Sequence, residues 1–414
     1  LKINVSLEEA QELVLSMVNP VGETVVSLPA ALGRVISRDL IAPFSEPSFD
    51  KSAFDGYAVR AGDTRSASSA SPVVLQVIEE VSAGSVPVKK VVPGCAIRIM
   101  TGAPLPEGAD AVVPFEDVEE ALGSIVIRRP LAAGSGVIPT GNDVLEGEVI
   151  ARRGRRVNAL LIGVLASLGI TRVPVYDQVR VAIINTGSEL LDPSEKRQLG
   201  KIYVSNRYLL EARCREVGAE PVYLEGVPDE KGAIAGSLKK ALEKADLVIT
   251  TGGTSAGRYD VIKEALSIIG AQILFSRVAI KPGKSVIASH KDEKIILSLA
   301  GNPTAAMVTF DLVAVPAIKR MSGLEDPLLP VVTGILAGGF PSTSPRRRLL
   351  MARWKRQNGL GLIELAGKQG NVLKSSIDCN LLVDVPAGSP PLAAGQSVAA
   401  FVVGNLNDSL SEDE

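Results

Sequence analysis

Histidine is almost missing from this chain: His290 is the only one among 414 residues. HExxH and other His-built metal sites are therefore excluded. A Ser-His-Asp triad could use only His290, which sits in the stretch Ser289-His290-Lys291-Asp292 between two apolar runs and reads as an exposed turn residue. Cysteine is scarce as well. Cys95, Cys214 and Cys379 are far apart, odd in number and without CxxC spacing, so neither a disulfide framework nor a zinc site is expected. Charge of one sign is lacking: 44 basic against 46 acidic residues leave a formal net charge of -2. No overall field gathers nucleic acid or an anionic membrane, and neither is an expected partner. Apolar runs stop at strand length, short of the ~18 residues of a membrane span. No basic-then-apolar leader opens the chain. A cytoplasmic protein is the expectation, with chemistry left to carboxylates, lysines, backbone N–H groups and a hard metal.

What is present has ordinary globular composition, 46% hydrophobic and 22% charged. Residues 6–18, SLEEAQELVLSMV, open on a capping-box pattern from Ser6 to Glu9 and carry helical periodicity. SLPAALGRVI reads as a second short helix ending near Gly33. From Pro43 to about Asp143, short β-rich runs (VVLQVIEEV, CAIRIM, AVVPF, SIVIRRP) alternate with Gly, Pro and Ser and predict a β-rich module. NALLIGVLASLG, from Asn158 to Gly169, is strongly helical. Over 178–325 the texture changes to uniformly apolar strands separated by helices such as RYLLEARCREV and YDVIKEALSIIG. That alternation predicts a mostly parallel sheet covered on both faces. Pro327 to Pro330 mark a boundary, and the short strands beyond suit a small β-barrel; SEDE ends the chain as an acidic tail.

Ligands of such sheets bind beyond the carboxyl ends of the strands. Four polar, glycine-marked strand ends are found: Asn185-Thr186-Gly187-Ser188-Glu189; EGVPDE with Asp229; Thr250-Thr251-Gly252-Gly253-Thr254-Ser255; and Lys281-Pro282-Gly283-Lys284, followed by LAGNPTAA. Adjacent glycines let backbone approach a ligand, and successive N–H groups before a helix make an anion nest. This turn is neither a Walker loop nor GxGxxG, so by itself it names no ligand. Together the turns carry Glu189, Asp229 and Asp260, oxygen ligands suited to Mg²⁺ with a substrate phosphate, and the anion-holding lysines Lys281 and Lys284. A phosphoanhydride or adenylate suits this set better than a neutral metabolite. Solvated loop charges are the plainer alternative.

At these residues the chain resembles the molybdopterin molybdotransferases, the MoeA proteins and the E domain of gephyrin. The likeness runs through SFDKSAFDGYAV, IRIMTGAPLPEGADAVVPFEDVE, GNDVLEGE, INTGSELLDP, GKIYVSNRYLLEA, LVITTGGTSAGRYDVIKEAL, VAIKPGKS and LAGNPTAA, in that order. It implies a multidomain α/β fold: an elongated helical and β linking domain (1–47 with 144–177), an inserted β-rich module (48–143), a molybdopterin-binding α/β domain (178–326), a C-terminal β-barrel (327–409) and the tail 410–414. It also implies a homodimer with each site built between subunits. The implied reaction is insertion of molybdate into adenylylated molybdopterin with Mg²⁺ and release of AMP. An upstream molybdopterin adenylyltransferase and downstream molybdoenzyme maturation proteins would be partners. By resemblance, Asp55, Thr101, Asp143, Glu189, Asp229, Asp260, Lys281 and Lys284 carry the chemistry, with Glu189, Asp229 and Asp260 toward the metal. Thr186, Gly187, Asn206, Thr251, Gly252, Gly253, Thr254, Ser255, Gly301, Asn302 and Pro303 would bind the pterin substrate. Plainer readings stand beside some of these: Asp55 and Asp143 as turn formers, Asn302-Pro303 as a helix start.

The chain departs from the family pattern at Ile138, Val204, Arg258, Arg277, Ala300 and Asn371. Arginine for lysine at 277 keeps charge but changes donor geometry. Ile138 removes a donor. These departures leave open a paralogue that binds pterin, one that inserts tungstate, or a non-catalytic scaffold.

Overall fold

The computed structural model describes residues 2–252, 259–343, 345–357, 360–367 and 373–406. Its centre is a seven-stranded sheet. In chain order the strands are β1 (Lys2–Val5), β2 (Arg180–Asn185), β3 (Glu220–Tyr223), β4 (Leu247–Thr251), β5 (Gln272–Val278), β6 (Ile287–Lys291) and β7 (Lys294–Leu299). In space they run β1-β5-β6-β7-β4-β2-β3. Six strands point one way and β6 alone is reversed, paired antiparallel with β5 and β7. The hairpin from β6 to β7 turns at Asp292, whose φ of 55° is tolerated by aspartate better than by most side chains.

Both faces are covered because alternate residues of each strand are apolar on both sides. Val181 and Ile183 of β2 enter one core with α1 (Leu7–Leu15) and the helix containing Leu210. Ala182 and Ile184 enter the other, beneath the helices carrying Leu238 and Leu266. Ser6 caps α1 by accepting from the Glu9 amide, as the capping-box pattern predicts. Asn158 likewise caps α2 (Ala159–Ser167). Each such cap contributes about 1 kcal/mol.

Residues 2–18 lie apart from the rest of the linking segment. They pack on the central sheet. β1 extends it by pairing parallel with β5, while Val5, Leu7, Ala10 and Val14 join its core. The expected helix before Gly33 is a single 3-10 turn, Pro29–Ala31, ahead of Gly33 with φ 77°. The linking segment proper has its own core around Ile36, Leu161, Leu165 and Val175.

The inserted module is a six-stranded sheet in the order Ala111–Pro114, Gly56–Val59, Cys95–Ile99, Val73–Val81, Ser124–Ile127, Val118–Ala121. Gly56 has no substitute there, since a Cβ would lie 2.1 Å from the Val113 carbonyl oxygen. At the other end, Val331–Leu336, Arg347–Gln357, Leu360–Leu365, Leu381–Val385 and Ser397–Val402 form a barrel, closed where Arg347–Gln357 pairs with Leu381–Val385. A short strand of the central domain, Ile280–Lys281, adds alongside Arg347 and Arg348. No helix among the described residues is long and apolar enough to cross a membrane.

Candidate active site

The carboxyl ends of β2, β4 and β7 meet in three loops. The first, 185–189, leaves β2 at Asn185, whose Nδ2 donates to Thr251 Oγ1 at the end of β4, 2.6 Å away. Thr186 N donates to the Thr251 carbonyl at 2.8 Å and Gly187 N to the Val227 carbonyl at 3.2 Å, so the loop carrying Asp229 is stitched to the same edge. The second loop turns at Gly252, φ 101°, and a Cβ there would lie 2.2 Å from the Thr186 carbonyl oxygen. Only glycine permits that approach. The third loop follows β7. A Cβ on Gly301 would sit 3.4 Å from the Gly252 Cα, and the Gly301 carbonyl accepts from Asn206 Nδ2 at 2.9 Å. Asn302 caps the helix Pro303–Thr309 through the Ala305 amide at 3.1 Å. Its helix-start role is therefore real.

Five oxygens at or near this edge are buried and have no hydrogen-bond partner among the described residues: Asn185 Oδ1, Thr186 Oγ1, Asn206 Oδ1, Thr250 Oγ1 and Ser298 Oγ. Thr250 and Ser298 are direct register partners on β4 and β7. An unpaired buried polar group costs about 1–3 kcal/mol, so such a concentration marks where a polar ligand or ordered water belongs. Read from sequence, Asn185 has a place in a strand-end turn but no binding role, and Ser298 is not singled out. The signal was there, in single polar residues closing apolar runs: Asn185 after AII, Ser298 inside IILSL.

Glu189 and Asp229 are both half-buried on the stitched loops. Gly253, Thr254, Ser255 and Arg258 lie outside the described residues, as does the side chain of Asp260. Among the described residues no three His, Cys, Asp or Glu side chains cluster as a metal cage. Glu189 and Asp229, with hydroxyl and amide oxygens on the same loops, are all hard oxygen donors.

Lys281 and Lys284 flank a turn fixed on two sides. Gly283 packs so closely that a Cβ would meet Thr309 Cγ2 at 2.6 Å, and Ile280–Lys281 pairs with the barrel. Lys281 is exposed and Lys284 half-buried.

Asp55, Thr101 and Asp143 are elsewhere in the chain, on the inserted module. Asp55 Oδ1 accepts from Thr101 N at 2.7 Å and Thr101 Oγ1 at 2.8 Å. The Thr101 amide, then its hydroxyl, hold the Asp55 carboxyl below its ordinary pKa. Asp143 is exposed in a turn whose amide donates to the Glu46 carbonyl at 3.0 Å. No described hydrogen bond or ion pair joins these three to the loops at the sheet edge.

Among the departures, Ile138 is half-buried and pairs with Lys51 in the module. Val204 precedes the helix Ser205–Glu216 and gives it no side-chain cap. Arg277 is exposed with φ 69°. Ala300 is buried, and Asn371 lies outside the described residues. His290 is a half-buried residue of β6 rather than an exposed turn residue, its Nδ1 3.2 Å from the Asp292 carbonyl.

Gly252→Ala tests the cradle directly. The added methyl must displace the Thr186 carbonyl, so binding of a phosphorylated pterin is expected to weaken at least tenfold by titration calorimetry, the cost of about 1.4 kcal/mol or more. Unchanged affinity would remove this turn from the binding site.

Fold and site together define a multidomain α/β protein with an oxygen-rich, glycine-marked sheet edge. Two family models match the chain: the MoeA N-terminal region, its domains I and II, over residues 5–169, and a probable molybdopterin binding domain over residues 182–320. A molybdopterin molybdenumtransferase of Bacillus subtilis (strain 168) is 36% identical over 394 residues, 94% of this chain and 92% of the relative. Molybdopterin molybdenumtransferase 2 of Mycobacterium tuberculosis is 35% identical over 96% of this chain and 99% of its own length. A crystal structure of the molybdopterin biosynthesis MoeA protein from Pyrococcus horikosii superposes with a TM-score of 0.85 at 34% identity, covering 97% of this chain and 100% of the other. The chain belongs to the molybdopterin molybdenumtransferase (MoeA) family.

Proposed function

We propose that the sheet edge built by Asn185, Thr186, Thr251, Gly252 and Gly301 binds the phosphorylated end of adenylylated molybdopterin, and that the chain inserts molybdate there with release of AMP. Its place in molybdenum cofactor biosynthesis, as a transferase of molybdenum, follows from family membership over nearly the whole chain. The full-length match to named transferases favours catalysis over the binding, tungstate and scaffold alternatives.

The observation that carries the ligand assignment is the concentration of buried oxygens without a described partner around a glycine whose Cβ would strike backbone. Such an edge has room for a ligand with both kinds of group: phosphoester oxygens that accept from the Thr and Ser hydroxyls, and pterin ring and amino N–H groups that donate to the Asn185 and Asn206 amide oxygens. Gly252, Thr186 and Thr251, with Gly253, Thr254 and Ser255, hold the pterin phosphate, while Asn185 and Asn206, whose Nδ2 groups are engaged within the protein, turn their Oδ1 atoms to the pterin's N–H donors. Lys281 and Lys284 hold the oxoanion. Glu189, Asp229 and Asp260 would hold Mg²⁺, which, when bound, offsets the negative charge of the phosphoanhydride. The same carboxylates orient the attacking water. Water attacks the adenylyl phosphorus, the P–O bond to the molybdopterin phosphate breaks, and the adenylyl group departs as AMP; the two dithiolene thiols then form two Mo–S bonds, and one molybdate oxygen leaves with their protons as water.

A homodimer belongs to this proposal. Asp55, Thr101 and Asp143 lack a described bond to the sheet edge, so a second copy of the chain would bring them to it. The test is incubation of purified protein with adenylylated molybdopterin, molybdate and Mg²⁺, following AMP by chromatography. AMP should appear in step with molybdenum cofactor; release no faster than in a protein-free control would sink the proposal.

A further inference from the structure

The module uses one device twice. Asp55 Oδ1 accepts from Thr101 N at 2.7 Å and Thr101 Oγ1 at 2.8 Å. Five residues earlier, Asp50 Oδ1 accepts from Thr140 N at 2.7 Å and Thr140 Oγ1 at 2.8 Å. The two aspartates stand at opposite ends of the stretch 50–55 and reach in different directions. One holds the turn that begins at Thr101; the other holds the turn Thr140-Gly141-Asn142-Asp143.

The backbone around them is laid out accordingly. Lys51–Ser52 pairs antiparallel with Val137–Ile138 on one side. On the other, Ser52 N donates to the Ala103 carbonyl at 3.0 Å, Gly102 N to the Ser52 carbonyl at 2.9 Å, and Leu105 N to the Asp50 carbonyl at 2.8 Å. The far side of the 139–143 turn is tied down by Gly141 N to the Pro47 carbonyl at 2.9 Å and Asp143 N to the Glu46 carbonyl at 3.0 Å. Thr140 is the point on its near side where a side chain grips it. Residues 46–55 thus form a strip with a turn fastened along each flank.

We infer that Asp50, through Thr140, is a positioning residue for the reaction: it sets the turn that presents Asp143, as Asp55 sets the turn of Thr101. The inference rests on the proposed function, in which Asp143 works at the reacting centre. Both bonds end on one oxygen, and both are stronger to the carboxylate than to the neutral acid. In keeping with that, the Thr140 amide and then its hydroxyl hold the Asp50 carboxyl below its ordinary range. Two charge-assisted bonds to one threonine fix both the height and the rotation of the turn. A displacement of about 1 Å in a catalytic group costs on the order of a hundredfold in rate, so partial loosening should be felt as roughly tenfold.

The experiment compares the full-length wild type with Asp50→Ala, Thr140→Val, Thr140→Ser and Asp143→Ala. Two quantities are measured: AMP release with adenylylated molybdopterin, molybdate and Mg²⁺, and amide hydrogen exchange of 137–144 and 101–105. Asp50→Ala and Thr140→Val should each lower kcat roughly tenfold, with KM within about threefold because neither residue touches substrate. Exchange should rise in 137–144 and stay unchanged in 101–105. Thr140→Ser retains amide and hydroxyl and should restore both readouts. Unchanged exchange in Asp50→Ala overturns the inference. So does raised exchange with kcat within twofold of wild type while Asp143→Ala is inactive. A wild type without turnover would sink the functional reading instead, and the exchange data would still decide whether Asp50 holds the turn.

Discussion

Lys281→Ala is expected to lower molybdate insertion at least a hundredfold while the thermal unfolding midpoint moves by no more than about 2 °C. The side chain is exposed, and surface substitutions of that kind change stability by roughly 0.5 kcal/mol or less. Its backbone is another matter. Ile280–Lys281 is pinned beside Arg347 and Arg348 of the barrel, and Gly283 is pressed against Thr309. A flexible ammonium on a rigid turn puts a positive charge at a fixed place without distorting the protein when an oxoanion arrives. Removing a donor that faces developing charge typically costs about 10²–10³ in rate. Lys281→Arg keeps the charge on a wider, forked head and should recover only part of the activity. The measurement is kcat and KM for cofactor formation at saturating Mg²⁺, beside a melting curve. Values within threefold of wild type for the alanine variant would exclude Lys281 from the reaction.

Much of the central domain could be read in advance because its strands are apolar on both faces and its helices are periodic. Val181 to Ile184 could face only two covered cores, and Ser6 announced its cap. β1 could not be read in the same way. Lys2–Val5 is four residues long, mostly exposed, and gains its meaning only from Phe275 and Val278, some 270 positions later. The reversed direction of β6 depends on a two-residue turn at Asp292 that the flanking apolar runs do not encode. At the site, glycines and charges stood out as types. What sequence could not supply was pairing. Nothing in SFDKSAFDGYA distinguishes Asp50 from Asp55, and only the fold shows that one grips Thr140 and the other Thr101.

A second acid escaped notice because it lies in an apolar run. Asp311, in the π-helical segment Phe310–Ala314, is 1% exposed, and Arg213 Nη2 donates to its Oδ1 at 2.6 Å, with Nε at 3.2 Å. The same guanidinium also donates to the Val403 carbonyl at 2.8 Å and pairs with Glu216. One arginine therefore joins the helix Ser205–Glu216, the segment behind the site and the end of the barrel. Asp311→Ala leaves that charge buried without its main partner, a change that costs about 3–5 kcal/mol. The midpoint of thermal unfolding should fall by at least about 6 °C, taking roughly 2 °C per kcal/mol for a large domain. The pH dependence has a definite sign. Burial raises the Asp311 pKa from 3.8 to about 6, against the pull of Arg213. The folded state then holds more protons than the unfolded one between those values, so this group's contribution to stability declines as pH rises from about 4 to about 6. The gap in stability between wild type and Asp311→Ala should therefore be widest near pH 4 and narrow toward pH 7. Denaturant titrations of both proteins at pH 4, 5, 6 and 7 measure it. A gap that widens with pH would mean that Arg213 overcomes burial and that Asp311 is ionised throughout the range.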